Sequence, residues 1–123
     1  MSLVLIVEDN EMNMKLARDV LQARGYETVE AVTGEEGVRL ALERKPALVL
    51  MDIQLPGIDG VEALRRIRAN AATALIPVVA VTASVTPTDR SEIIAAGFDA
   101  FVSKPINLKE FLGVVQRYAG GGK

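Results

Sequence analysis

The apolar positions of this chain fall into short unbroken runs, separated by longer stretches where apolar and polar residues alternate with a helical period. Leu3–Val7 (LVLIV), Ala47–Met51 (ALVLM) and Ile76–Val81 (IPVVAV) are continuous runs rich in Val, Leu and Ile, as strands buried on both faces of a parallel sheet require. Tyr26–Val32 (YETVEAV) is mixed and Ala100–Ser103 (AFVS) is short, so both suit edge strands. Five helices are predicted between and after them. The first runs from about Glu11 to Arg24, behind Asn10 as a cap and up to Gly25 as a stop, with Leu16, Ala17, Val20 and Leu21 as its core stripe. The second opens on Thr33–Glu36 (TGEE), a capping box, and turns Val38, Ala41 and Leu42 inward before Pro46. The third follows Asp59, with Glu62 three residues on, and buries Val61, Leu64 and Ile67. The fourth starts at Thr86–Pro87, where proline suits the first helical position, and ends at Gly97. The fifth opens at Asn107, and its Leu108, Phe111, Leu112 and Val115 repeat with helical spacing.

Strands alternating with helices give a (βα)5 unit: an α/β fold with a doubly wound parallel sheet and right-handed crossovers. The strand order 2-1-3-4-5 places the two more polar strands at the edges. At 123 residues the chain, 1–123, fits one domain, with its core over about 3–118. The terminal Gly120–Lys123 (GGGK) reads as a frayed tail.

Composition narrows the chemistry. Half the residues are apolar but only 4% aromatic, so the core is aliphatic. A net charge of −2 argues against a nucleic-acid-binding surface. No apolar run approaches the roughly 18 residues of a membrane span, and Glu8 and Asp9 interrupt the N-terminal run before it could act as a signal peptide. A cytoplasmic protein is expected. The chain has no cysteine and no histidine. Thiolate chemistry, Cys-zinc sites and Ser-His or Cys-His mechanisms are therefore excluded, and the chain cannot itself carry a phosphohistidine. Carboxylates, hydroxyls, lysines and a metal ion remain.

Each inner strand ends on polar residues: Glu8 and Asp9 after the first, Asp52 after the third, Thr82 after the fourth. The short last strand ends at Ser103–Lys104. In an open α/β sheet these ends converge on one crevice, which predicts three carboxylates, one hydroxyl and one ammonium around a small pocket. Clustered carboxylates raise each other's pKa unless neutralised, and a hard cation such as Mg2+ does this with one or two carboxylates, waters and a phosphate oxygen. Thr82 and Lys104 are donors able to hold further phosphoryl oxygens, and a remaining carboxylate can act as nucleophile through an acyl phosphate.

The glutamate–aspartate pair after the first strand, MDIQLPGIDG at Met51–Gly60, VTA at Val81–Ala83 and SKP at Ser103–Pro105 together resemble the receiver domain of response regulators, a CheY-like, flavodoxin-like fold. The resemblance covers about Leu3 to Tyr118. It implies that Asp52 is the phosphoacceptor, that Glu8 and Asp9 are the acidic metal pair, and that the main-chain carbonyl of Gln54 is a further metal ligand alongside Asp52. It makes Thr82 the switch hydroxyl, Lys104 the phosphate-pairing lysine and Phe101 the switch aromatic, and it makes a cis Lys104–Pro105 bond plausible. The implied partners are a sensor histidine kinase or a histidine phosphotransfer protein and a downstream protein target. The implied chemistry is a signalling phosphoacceptor's, limited to its own phosphorylation and dephosphorylation, and not that of a substrate-converting enzyme. Three longer segments, including Val4–Glu27, are similar in wording to single-domain cell-division regulators of the DivK type.

Met12 and Met14 flank the core stripe of the first helix and are expected to form an adaptable apolar patch where a partner helix docks. Gln54 and Ser84, beside the pocket, are expected to tune water access. Alternatives fare less well. A haloacid-dehalogenase-type phosphatase wants an acid two residues beyond its nucleophile, where this chain has Gln54. A flavodoxin-like FMN binder wants Ser, Thr and Gly donors in the first loop, where this chain has acids. A receiver belonging to a larger hybrid kinase, and a receiver that binds without phosphorylation, remain as rival settings of the same fold.

Overall fold

The computed structural model of the chain describes residues 2–83 and 86–120. Ten elements follow in strict alternation: β1 (Leu3–Val7), α1 (Glu11–Ala23), β2 (Glu27–Ala31), α2 (Gly34–Arg44), β3 (Leu48–Asp52), α3 (Gly60–Ala69), β4 (Val78–Thr82), α4 (Pro87–Ala96), β5 (Ala100–Ser103) and α5 (Leu108–Ala119). The strands form one parallel sheet in the order β2-β1-β3-β4-β5, as the polarity of the runs predicts. The tail expectation lies outside the described residues beyond Gly120.

Local chemistry sets the helix starts. Asn10, Thr33, Asp59, Thr86 and Asn107 each sit in extended backbone and accept the amide of the residue three positions on, satisfying one of the donors a helix start leaves open. In α2 the Glu36 carboxylate also reaches back to the Val32 N–H at 2.8 Å.

Because successive strand side chains face opposite ways, the inner strands feed two cores. Val4, Ile6, Leu48, Leu50, Val79 and Val81 pack with α1 and α5. Leu5, Val7, Val49, Met51, Val78 and Ala80 pack with residues of α2, α3 and α4. All five residues of β3 and all five of β4 are buried, which explains why their sequences run apolar without alternation.

The helix faces differ from the expected ones. The stripe of α1 is Met14, Ala17 and Leu21, with Leu16 left 41% exposed. Leu42, Val61 and Leu108 are also exposed, while Gly34, Gly37 and Ala41 of α2, Ala63 of α3 and Ala119 of α5 are buried. The sheet approaches α2 closely: a Cβ on Gly37 would lie 2.8 Å from Val7 Cγ2. Small residues share the buried faces with the expected Leu21, Leu64, Ile67, Phe111 and Val115, while Leu16, Leu42, Val61 and Leu108 lie at the flanks. Met14 is consequently core, buried with Ala17 and Leu21, and is corrected as a partner-contact residue; Met12, 81% exposed, remains on the surface.

This assignment makes a direct comparison possible. Leu21→Ala is expected to cost about 2–5 kcal/mol, as truncation of a fully buried leucine does, and Leu16→Ala no more than about 0.5 kcal/mol. Urea unfolding of the two variants checks it, and equal losses would return the core stripe to its expected place.

Candidate functional site

Register places the polar residues. Val7 pairs with Met51, Asp52 with Val81, and Thr82 with Ser103. Glu8, Asp52, Thr82 and Lys104 therefore leave the sheet at the same edge. Glu8, Asp52 and Thr82 are buried, at 5%, 4% and 6% exposure, and Asp9 is exposed. One carboxylate oxygen from each of Glu8, Asp9 and Asp52 lies within 4.8 Å of the others.

The Lys104 ammonium joins the buried acids. Its Nζ donates to Asp52 Oδ2 at 2.8 Å and lies 3.0 Å from Glu8 Oε1. The remaining oxygens are held by main chain: the Gln54 N–H donates to Asp52 Oδ1 at 3.0 Å, and the Asn10 N–H donates to Glu8 Oε2 at 3.1 Å. Lys104 is fixed in turn by its own N–H, which donates to the Thr82 carbonyl at 2.8 Å. The Lys104–Pro105 bond is cis. Burial pushes the Glu8 carboxyl above its ordinary range; Lys104 pulls it back, and the neighbouring Asp52 pushes it up again. Burial also works against the Lys104 ammonium, but its hydrogen bonds to Asp52 and Glu8 outweigh that and hold its pKa above the usual lysine value.

Three carboxylates against one ammonium leave two negative charges in this cluster when all are ionised. That balance, oxygen-only donors and an exposed Asp9 suit a hard divalent cation that keeps waters of its own. Access is open on two sides. A hollow of about 360 Å³ runs past Glu8, Asp9, Glu11 and Lys15, and another of about 250 Å³ past Gln54, Thr82, Val61 and Ile93.

The expected site residues thus come together, with differences of detail. Phe101 is half-buried among the residues packed against α3 and α4, two positions before Ser103 on β5. The Arg90 guanidinium of α4 lies 5.4 Å from its ring centroid, a contact with no sequence signal because it joins two elements. Gln54 is tied to Asp52 by its N–H. Ser84 lies outside the described residues. Glu110, whose N–H donates to the Asn107 cap, also accepts the Ser103 N–H at 3.3 Å through its carboxylate.

Comparison with known proteins agrees with this geometry. The family model for the response regulator receiver domain matches residues 4–116. The polar-differentiation response regulator DivK of Brucella anthropi is 44% identical over 117 residues, covering 95% of each chain. A putative response regulator from Chloroflexus aurantiacus superposes with a TM-score of 0.91 at 28% identity, over 96% of this chain and 97% of that one. The receiver domain of a sensor histidine kinase from Pseudomonas aeruginosa, solved with a magnesium ion coordinated in its active-site cleft, has a TM-score of 0.89 at 32% identity over 98% of both chains. Among the described residues no helix is long and apolar enough to cross a membrane.

The raised Glu8 pKa fixes the sign of a pH effect. The folded protein holds the Glu8 proton more tightly than the unfolded chain does, so ionising it costs stability as pH rises from its ordinary 4.5 through the higher folded value. Lys104 has the same sign in a higher window: its contribution is complete below its ordinary 10.5 and is lost as pH rises through the folded pKa above that. With divalent cations chelated, denaturation between about pH 4 and about pH 8 should show the wild type losing stability relative to Glu8→Gln. Parallel curves would mean that Glu8 ionises as it does in the unfolded chain.

Proposed function

The chain belongs to the response regulator receiver domain family, and from that membership we propose that Asp52 accepts a phosphoryl group from a phosphohistidine on a partner protein. The observation that carries the reading is the Lys104 ammonium held between the buried Asp52 and Glu8 carboxylates, with Asp9 at the opening. A nucleophilic carboxylate, a cation for the incoming phosphoryl oxygens and acids for a metal then share one pocket. The membership itself makes this a two-component signalling module of a kind similar to DivK.

Glu8, Asp9, Asp52 and the main-chain carbonyl of Gln54 would hold Mg2+. When bound, the ion supplies charge neutralisation between the carboxylates and the arriving phosphoryl group. The support is the acidic cluster of this chain and the magnesium coordinated in the Pseudomonas aeruginosa receiver.

An Asp52 carboxylate oxygen forms a bond to phosphorus as the phosphorus–nitrogen bond of the phosphohistidine breaks, and the electron pair leaves with the imidazole. The Gln54 N–H keeps the other oxygen in place and so orients the attack. Lys104 exchanges its hydrogen bond to Asp52 for one to a phosphoryl oxygen, and Thr82 turns its hydroxyl to another. Phe101 then repacks inward. The surface of α4, β5 and α5 changes with it and passes the signal to a protein target. The protein is on this reading a cytoplasmic phosphoacceptor that catalyses only its own phosphorylation and dephosphorylation. The DivK match, which spans 95% of each chain, supports reading residues 1–123 as a single receiver unit.

Two measurements test these steps. Incubation with acetyl phosphate and Mg2+ is expected to add one phosphoryl group by intact mass, and Asp52→Asn to add none; no gain, or a gain that survives Asp52→Asn, overturns the assignment. Mg2+ at about a hundredfold above its Kd should stabilise the fold by about 2.7 kcal/mol. Asp9→Asn should weaken that binding, and an unchanged affinity would remove Asp9 from the ligand set.

A further inference from the structure

The segment between β3 and α3, residues 53–59, carries Gln54 and continues directly from Asp52. Its first residue still bonds to β4, where the Ile53 N–H donates to the Val81 carbonyl at 3.3 Å, and the N–H at Gln54 fixes one oxygen of the acceptor. What shapes it is a close fit against the first turn of α2. A Cβ on Gly34 would lie 2.7 Å from Ile58 Cγ1 and 2.8 Å from the Ile58 carbonyl oxygen. A Cβ on Gly57, whose φ is +74°, would lie 2.8 and 2.9 Å from the two carboxylate oxygens of Glu35. The Ile58 N–H also points to Glu35 Oε2, at 3.4 Å. At the far end of the segment, a Cβ on Gly60 would run into the Asp52 carbonyl oxygen, and the Gly60 N–H donates to the Ile53 carbonyl at 2.8 Å. Backbone therefore meets backbone or carboxylate at three places, and none of the three tolerates an added methyl without a shift.

We infer that Glu35, with Gly34 beneath it, is a positioning residue for the phosphoacceptor segment: it clamps the chain at Gly57–Ile58 and so fixes where Gln54 and Asp52 stand. This rests on the phosphoacceptor reading and deepens it. A side chain in the first turn of α2 would otherwise serve only that helix's dipole. Glu35 does more because its carboxylate lies over Gly57 of the β3–α3 segment, where the backbone φ is +74°. The neighbouring Glu36 has the separate task of capping through Val32. Release of the clamp lets residues 53–59 relax away from α2, and the metal-binding geometry that depends on Asp52 and Gln54 loosens with it.

The test uses the full chain and reads Mg2+ affinity by titrating the metal against the denaturation midpoint. Glu35→Ala is expected to weaken Mg2+ binding about tenfold, the lower end of what outer positioning groups contribute. Glu35→Gln, which keeps an oxygen acceptor and the same bulk, is expected to restore most of the affinity. Gly34→Ala separates the clamp from helix stability, because alanine favours the helix itself while its methyl displaces Ile58. The clamp predicts weaker Mg2+ binding in this variant whatever happens to its metal-free stability. If Glu35→Ala lowers only metal-free stability and leaves Mg2+ affinity unchanged, the role is structural and the inference is overturned. Wild type and Asp9→Asn run alongside: a wild type that ignores Mg2+ overturns the reading of the site and this inference together. A normal wild type and a weakened Asp9→Asn, beside unaltered Glu35→Ala and Gly34→Ala variants, overturn the inference alone.

Discussion

The contact on which the site depends is the bridge from the Lys104 ammonium to Asp52 and Glu8, at 2.8 and 3.0 Å. Two carboxylates at about 5% exposure are costly to keep charged and close together, and one removed partner would leave an uncompensated buried charge. Lys104 makes the arrangement tolerable without neutralising it. The upward shift of Glu8 is the signature of that shortfall: burial and Asp52 together outweigh the lysine. A site balanced in this way binds a further cation more readily than a fully paired one does, because the added charge relieves repulsion already present in the fold.

Strand register delivers the bridge. β1 and β3 are aligned so that Val7 lies beside Met51, and the next residues, Glu8 and Asp52, follow without any gap in burial. β5 reaches the same edge through Thr82 and Ser103, and the Lys104 N–H then closes onto the Thr82 carbonyl. A slip of one residue in any of these pairings would turn the charged group into an apolar core. The aliphatic runs that look like simple core thus have a second role, which is to set the positions of the residues that end them.

Much of this is legible in the sequence because it is local or strictly periodic. The five caps depend on a side chain and an amide three residues away, and the strands declare themselves by continuous Val, Leu and Ile. The helix faces are less legible. Leu16, Leu42, Val61 and Leu108 carry more apolar surface than Ala17, Gly34, Ala63 and Ala119, so a hydrophobicity pattern points them inward. At Gly37 a small residue wins because α2 comes so close to the sheet that an added Cβ would lie 2.8 Å from Val7 Cγ2, a distance that no single element encodes. Met14 shows the same limit in reverse, since its long flexible side chain fills the core beside Ala17 and Leu21. At the site, residue identities and strand ends are readable. The sharing of Lys104 between two acids and the placing of Arg90 over Phe101 are not, since each joins elements far apart in the chain.

On the proposed reading, the path from phosphoryl group to surface is short and lies largely in β5. Lys104 follows the end of that strand, Val102 is sealed into the core with α1 and α5, and Phe101 faces the α3–α4 side under Arg90. A cation over an aromatic ring at a partly exposed position is worth about 0.5–1 kcal/mol. That corresponds to a bias of only about twofold to fivefold between two positions of the ring. A phosphoryl group that engages Lys104 and Thr82 through charge-assisted hydrogen bonds brings more free energy than this. On that reading the half-buried position of Phe101 is held weakly enough for a change at Asp52 to shift it, and a stronger hold on the ring would make the surface unresponsive to the chemistry beneath it.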